Sequence, residues 1–262
     1  MTGKKQRALV VRRVKDAVYG SWLYAPARSV YLLLFNHENL RYRSRMKRFY
    51  GQFFHRGELV FDVGANIGEY AETFSSLGAT VVAVEPNPSC CQPLYRLARM
   101  RNVRVEGCAV GAVPGNASLR ICDHSELSTL SDEWYEKSQR SATYAGVQWL
   151  EQVQVPVVTL DLLAKRHGVP VFVKIDVEGS EESVISGMSF TPKFLSFEFS
   201  DVRREGALRC IEMLGKKGYK FNPMLGREFA FQFPTWKSGQ EAADWLKSYR
   251  GKEEFGDVFA RL

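Results

Sequence analysis

The chain has 262 residues, 45% hydrophobic and 25% charged, with a net charge of +7, enough apolar material for one sizeable core and an appendage. No apolar run approaches the roughly 18–20 residues of a bilayer span, and "KKQRALVVRRVK" lacks the apolar centre of a secretory leader. Five cysteines without a CxxC argue against a disulfide framework or a zinc site, and favour reduced thiols in a cytoplasmic setting.

Residues 1–50 hold twelve Lys or Arg against two acids, Asp16 and Glu38, so this segment carries the whole basic excess. Its apolar positions (Leu9, Val10, Val14, Val18) recur at helical spacing. It reads as a basic helical segment, either a solvated appendage or an arm for an anionic membrane surface or another polyanion. The domain that follows, 51–262, alternates strands and helices. "ELVFDVG" predicts a buried strand, "GEYAETFSSLG" a helix closed by Gly78, "TVVAVEP" a second strand, "PSCCQPLYRLARM" a helix and "VRVEGCAVG" a third strand running into a loop. "ASLRICD" and "QVQVPVVTL" are extended and flank the polar, aromatic run "HSELSTLSDEWYEKSQRSATYAG", a long connection of the kind that faces substrate. Then come a helix in "TLDLLAKRHG", a strand in "PVFVKID", a helix in "SEESVISGM", a strand in "KFLSFEFS" and a helix in "RREGALRCIEMLGKKG". "YKFNPM" and "REFAFQF" suggest a closing antiparallel hairpin. The expected fold is an α/β, Rossmann-like open sheet, mostly parallel, covered by helices on both faces.

Ligands bind such sheets outside the carboxyl ends of the strands. The first strand ends in Asp62-Val63-Gly64-Ala65-Asn66-Ile67-Gly68. Glycines at 64 and 68 permit a tight turn and a close backbone approach. The spacing is not the GxGxxG of a pyrophosphate cradle, and no GK[ST] is present. Taken alone, "DVGANIG" is compatible with a structural turn. An aspartate there suits an ammonium group, and Glu85, ending the next strand, suits a pair of ribose hydroxyls. An adenosine that carries an amino acid is S-adenosylmethionine.

"FDVGANIGEYAETF", "VVAVEPNP", "VVTLDLL" and "VKIDVEGSEESVISG" together resemble the FkbM family of S-adenosylmethionine-dependent methyltransferases, over about residues 58–200. The resemblance implies a seven-stranded class I methyltransferase fold and methyl transfer to a hydroxyl of a sugar, glycolipid or secondary metabolite. It places Asp62, Gly64, Asn66 and Gly68 along the methionine and ribose, Glu85 on the ribose hydroxyls, and Cys108 and Ala109 against the adenine. Many class I enzymes have an acid at that last position, and this chain has none.

Displacement at a sulfonium needs donor and acceptor held in line, and an alcohol acceptor needs a group to take its proton. Asp176 is the candidate base or orienting group, Glu178 its partner, and Glu198 a second candidate. Alternation along a strand would put Lys174, Asp176 and Glu178 on one face if the strand persisted through Glu178. A divalent metal shared by Asp176, Glu178 and Glu198 is the alternative. Glu181 and Glu182 read as first-turn carboxylates that favour the helix dipole, and Glu178 as a cap for backbone N–H groups if it is not catalytic. His124 is an alternative base, and Ser128 and Thr129 are candidate acceptor contacts. The competing functions are a nucleic-acid methyltransferase gripping phosphates through residues 1–50 and a non-catalytic S-adenosylmethionine-binding protein. The expected location is cytoplasmic, with peripheral contact to a membrane.

Overall fold

A computed structural model describes residues 37–141, 144, 146–250 and 255–262. The expected helical, basic character of residues 1–36 lies outside the described residues. Two compact units are distinguished, Met1–Arg45 and Met46–Leu262. Of the first, only the opening of helix α1 (His37–Tyr50) is described. In the second, Met46, Phe49 and Tyr50 from the end of α1 are buried. With Phe53 they build an aromatic layer: Phe53 stacks on Phe172 at 5.2 Å and on Phe259 at 5.0 Å, and Tyr50 meets Phe74 at 5.1 Å. Phe49 and Tyr50 are thus core residues rather than a platform for stacking bases.

The strands are β1 (Leu59–Val63), β2 (Thr80–Val84), β3 (Val103–Glu106), β4 (Ala109–Val110), β5 (Gly115–Cys122), β6 (Trp149–Val158), β7 (Phe172–Ile175), β8 (Phe194–Ser200), β9 (Lys220–Leu225) and β10 (Phe255–Arg261). Seven form one sheet in the order β3-β2-β1-β7-β8-β10-β9. Pairing is parallel from β3 through β8, and β10 is antiparallel to both neighbours. The central strands read as continuous apolar runs because both faces are covered. The intervening helices are α2 (Glu69–Ser76), α3 (Pro88–Ala98), α4 (Asp132–Arg140), α5 (Leu160–His167), α6 (Glu181–Ser186), α7 (Arg204–Lys216) and α8 (Gly239–Ser248). Their starts follow capping chemistry: Asn87 accepts from Ser89 N, with Pro88 in the first turn, and Ser238 forms a capping box with Glu241.

Two expectations need correction. The antiparallel pair at the carboxyl end exists, but the partner of β9 is β10, reached through α8, and not residues 227–233. "REFAFQF" is irregular chain whose Phe229 and Phe231 pack on Phe49, at 6.2 and 5.1 Å. The segment between β4 and α5 is more ordered than a loop. β5 and β6 pair antiparallel and join β4 in a second sheet, ordered β4-β6-β5, with its own core of Ala109, Leu119, Ile121 and Val155. Helix α4 sits in the connection, its start capped by Ser131 Oγ accepting from Trp134 N at 3.1 Å.

The chain starts at β1 in the middle of the large sheet, runs out to β3, and returns to β7 on the other side of β1. The strand order therefore switches between β1 and β7, where such a sheet opens a crevice. Asp176 N donates to Val63 O at 2.9 Å across that seam, so "DVGANIG" and "KIDVEG" meet although more than a hundred residues separate them.

Candidate active site

The carboxyl ends of β1, β2, β7 and β8 line a cleft of about 520 Å³. Eight of the ten predicted site residues face it: Gly64, Asn66, Glu85, Cys108, Ala109, Asp176, Glu178 and Glu198. Asp62 and Gly68 do not. A Cβ at Gly68 would lie 2.8 Å from Leu94 and 3.2 Å from Leu97, so this glycine makes room for α3 instead.

Glu85 is nearly buried, yet it lines the cleft with both oxygens fixed from behind. Oε2 accepts from Asn66 N and Oε1 from Asn87 N, each at 2.8 Å. Burial raises its pKa and these two N–H groups pull it back. Each oxygen keeps a lone pair for a hydroxyl, as a vicinal diol requires. Asn66 holds a left-handed φ of 47°, which asparagine tolerates better than most residues. Its Oδ1 accepts from Ser125 Oγ at 3.1 Å and from Cys90 Sγ at 3.2 Å. Cys108 and Ala109 present a small apolar surface in the cleft wall, which Glu126 also lines. Glu106, the nearest acid in sequence, is engaged elsewhere by His167 Nε2 at 2.7 Å and by Arg166. The cleft thus fits an adenosine whose ribose is held by a carboxylate and whose base meets apolar groups and backbone.

Asp62 is 1% exposed, and neither carboxylate oxygen has a hydrogen-bond partner. Burial pushes its pKa from 3.8 up to about 7, against the pull of Lys174. A buried acid of this kind is costly to ionise, and it stands behind the cleft wall rather than in it. Its linkage has a definite sign. The folded pKa lies above the unfolded one, so the stability from this group is complete below about pH 4 and is lost as the pH rises through about 7. Asp62→Asn should therefore gain melting temperature relative to the parent across that window and keep a constant lead above it. Melting curves that run parallel across it would show that Asp62 is already ionised in the fold.

The acidic side holds more charge than the sequence suggested. β7 ends at Ile175, so Glu178 does not continue its alternation; it reaches the cleft from a left-handed turn, with φ 55°. Lys174, 1% exposed, donates to Asp176 Oδ2 at 2.7 Å and lies 4.2 Å from the centre of the Tyr70 ring. Burial opposes ionisation of Asp176, but Lys174 and a hydrogen bond from Glu198 prevail and its pKa is lowered. Glu198 is the opposite case: burial, opposed by Arg203 and reinforced by the neighbouring carboxylates, pushes it well above the ordinary range. Glu178 rises to about 8 for the same reasons. Lys174 thus favours the ionised form of Asp176, whereas burial favours the neutral form of Glu198.

Arg203, which follows β8, was not legible as a site residue. Its guanidinium reaches Glu198 at 2.5 Å, Glu178 at 3.1 Å and Glu181 at 3.5 Å. Glu181 is therefore buried in this network and is not a simple dipole carboxylate. It is also Glu181, rather than Glu178, that caps the turn, accepting from Gly179 N at 3.1 Å and Val177 N at 3.3 Å. Glu182 pairs with Arg209 at the surface. Thr129 Oγ1 donates to Glu178 O at 2.6 Å, so it latches the insert rather than contacting an acceptor. Ser128 lines the cleft; His124 does not, and is exposed beside Glu126. Asp176, Glu178 and Glu198 each place an oxygen within 4.8 Å of the others, close enough to share a cation. Arg203 pairs with Glu178 and Glu198 and Lys174 with Asp176, so the protein's own cations already serve all three carboxylates.

Among solved structures, the chain is similar to a precorrin-6y C5,15-methyltransferase from Geobacter metallireducens (11% identity, TM-score 0.45, covering 83% of this chain and 87% of that one). It is also similar to a TehB-like SAM-dependent methyltransferase from Corynebacterium glutamicum (11%, 0.44, 90% and 98%) and to an rRNA methylase from Streptococcus thermophilus (10%, 0.41, 82% and 93%). A search of curated proteins found no match. The sequence model described as the methyltransferase FkbM domain matches residues 62–249, the span that carries every strand end lining the cleft from β1 through β8. The chain belongs to the FkbM family of S-adenosylmethionine-dependent methyltransferases.

Proposed function

We propose that the acceptor atom is a hydroxyl oxygen, carried by a sugar, a glycolipid or another small metabolite. The observation that carries this reading is Asp176, an ionised carboxylate with 28% of its side chain exposed in the cleft wall and its charge fixed by Lys174. When bound, S-adenosylmethionine supplies an electrophilic methyl group on a sulfonium. Glu85 and the Gly64–Asn66 backbone would hold it, with Asp62 buried behind them. Asp176 accepts the hydrogen bond of the acceptor hydroxyl, aligns the oxygen lone pair, and takes the proton as the new C–O bond forms. Its lowered pKa makes it a better orienting group than a strong base. The proton therefore moves late, when the oxygen has become acidic.

Nucleic acid fits the acceptor end less well. Three carboxylates line it, and Phe49 and Tyr50, two of the aromatic residues of the basic segment, are buried in the core. The basic residues within 1–50 support instead a peripheral contact with an anionic membrane, at about 1 kcal/mol for each Lys or Arg brought near its surface. No helix among the described residues is long and apolar enough to cross a membrane.

Transfer of a labelled methyl group to panels of glycans, lipid extracts and RNA identifies the acceptor class. On the acceptor found, Asp176→Asn is expected to lower turnover by about 10²-fold or more while cofactor affinity stays within about twofold of the parent. Equal turnover in the variant would remove the role given to Asp176.

A further inference from the structure

We infer that Arg203 is the resident cation of the acidic rim, standing where a divalent metal would otherwise bind, and that it is the positioning residue that keeps Glu178 and Glu198 aimed into the cleft. The inference holds whichever acceptor the cleft takes. Three carboxylates with oxygens within 4.8 Å of one another crowd one buried spot, where each that ionises needs a cation nearby. Hard divalent ions meet such oxygen sets at about 2.0–2.6 Å. Here Glu178 and Glu198 face a guanidinium, and Asp176 is held by Lys174. Nη2 of Arg203 donates to Glu198 Oε2 at 2.5 Å, and Nη1 lies 3.1 Å from Glu178 Oε2 and 3.5 Å from Glu181 Oε1.

The rest of the side chain is committed as well. Nε donates to Ser200 Oγ at 3.1 Å, and the guanidinium lies over the Trp134 ring, 5.1 Å from its centre. Arg203 is thus held on two edges and a face, which a planar fork allows and an ammonium does not. Its neighbour Arg204 cannot replace it, because that guanidinium is turned to Asp201 and to the carbonyl of Tyr249. Trp134 opens the insert helix α4, Glu178 and Glu181 belong to the β7–α6 turn, and Glu198 lies in β8. One cation therefore fixes three separate segments around the acceptor end of the cleft. Glu181, anchored by the backbone N–H groups of Val177 and Gly179, tethers the arginine from outside the cleft.

The test is titration with Mn²⁺, followed by calorimetry and by thermal melting, which needs no knowledge of the acceptor. The intact protein is expected to show no Mn²⁺ binding that Glu178→Gln removes. Arg203→Ala, with its carboxylates left without a guanidinium, is expected to melt lower in metal-free buffer, to bind Mn²⁺, and to regain melting temperature in millimolar Mn²⁺. Adding Glu198→Gln to Arg203→Ala should abolish that recovery, whereas Arg203→Lys, which keeps a charge at the rim, should acquire no Mn²⁺ site. A merely structural arginine would give a variant that is destabilised and indifferent to Mn²⁺, and that result overturns the inference. So does Mn²⁺ binding by the intact protein that is lost in Glu178→Gln. If Arg203→Ala fails to fold even with Mn²⁺ present, the intact protein and Arg203→Lys decide: binding by either overturns the inference, and binding by neither supports it.

Discussion

Glu85→Ala is expected to weaken S-adenosylmethionine binding by about 100-fold or more, measured by calorimetry. A hydrogen bond to a charged group contributes about 1.5–3 kcal/mol, and about 1.4 kcal/mol is a factor of ten in affinity. Loss of two hydroxyl contacts therefore reaches this range even with partial compensation by water. The variant should also melt lower, because Asn66 N and Asn87 N lose the oxygens that satisfy them. Glu85→Gln separates the two effects. It keeps the shape and one carbonyl oxygen, but turns an amide N–H₂ toward one backbone donor, so intermediate affinity is expected. A parental dissociation constant in Glu85→Ala, alongside a lowered melting temperature, would make Glu85 a strut of the loop and not a ribose ligand.

Gly64→Ala should be the most damaging glycine-to-alanine change among the described residues. A Cβ there would lie 1.7 Å from the backbone oxygen of Asp176, at a φ of +83° that side chains rarely adopt. The obstacle is main chain and cannot rotate away, so the β1–β7 seam must part. A loss of about 3 kcal/mol or more is expected, about 10 °C in melting temperature for a domain of this size. Cofactor binding should be lost with it. Gly57→Ala is the control: its φ is +87°, but nothing lies within 4 Å of the added carbon. Both substitutions pay for the dihedral angle, so the excess at Gly64 measures the collision. Similar melting temperatures for the two variants would show that the seam yields easily.

Those two positions also mark how far the sequence could be read. Glu85 was legible because a carboxylate ending the second strand of such a sheet has a geometric reason to be there, and Asn66 and Gly64 because a turn after a buried strand restricts residue choice. The purpose of Gly64 was less visible. Its missing side chain gives way to Asp176 rather than to a ligand, a contact that sequence distance conceals. The central strands were found because burial on both faces writes them as apolar runs. "REFAFQF" misled because its aromatic alternation resembles a half-buried strand, while the partners that satisfy it are rings of α1. Arg203 left no local sign. It is one of two adjacent arginines after β8, and only the convergence of Glu178, Glu181 and Glu198 in space separates it from Arg204. Glu181 was obscured for a related reason: a carboxylate in a first helical turn already has an adequate explanation.

The place of β10 bears on how the protein is made. It is the last strand in chain order, yet it lies inside the sheet, between β8 and β9. During synthesis β8 and β9 leave the ribosome first and have no contact to make with each other until residues 255–261 arrive to bridge them. About 30 residues separate the end of β9 from the start of β10, which at about 5–20 residues per second is a delay of about 2–6 s. Throughout that interval both strands expose open edges of the kind that recruit other chains. The nascent protein is therefore most in need of a chaperone between the emergence of β9 and that of β10.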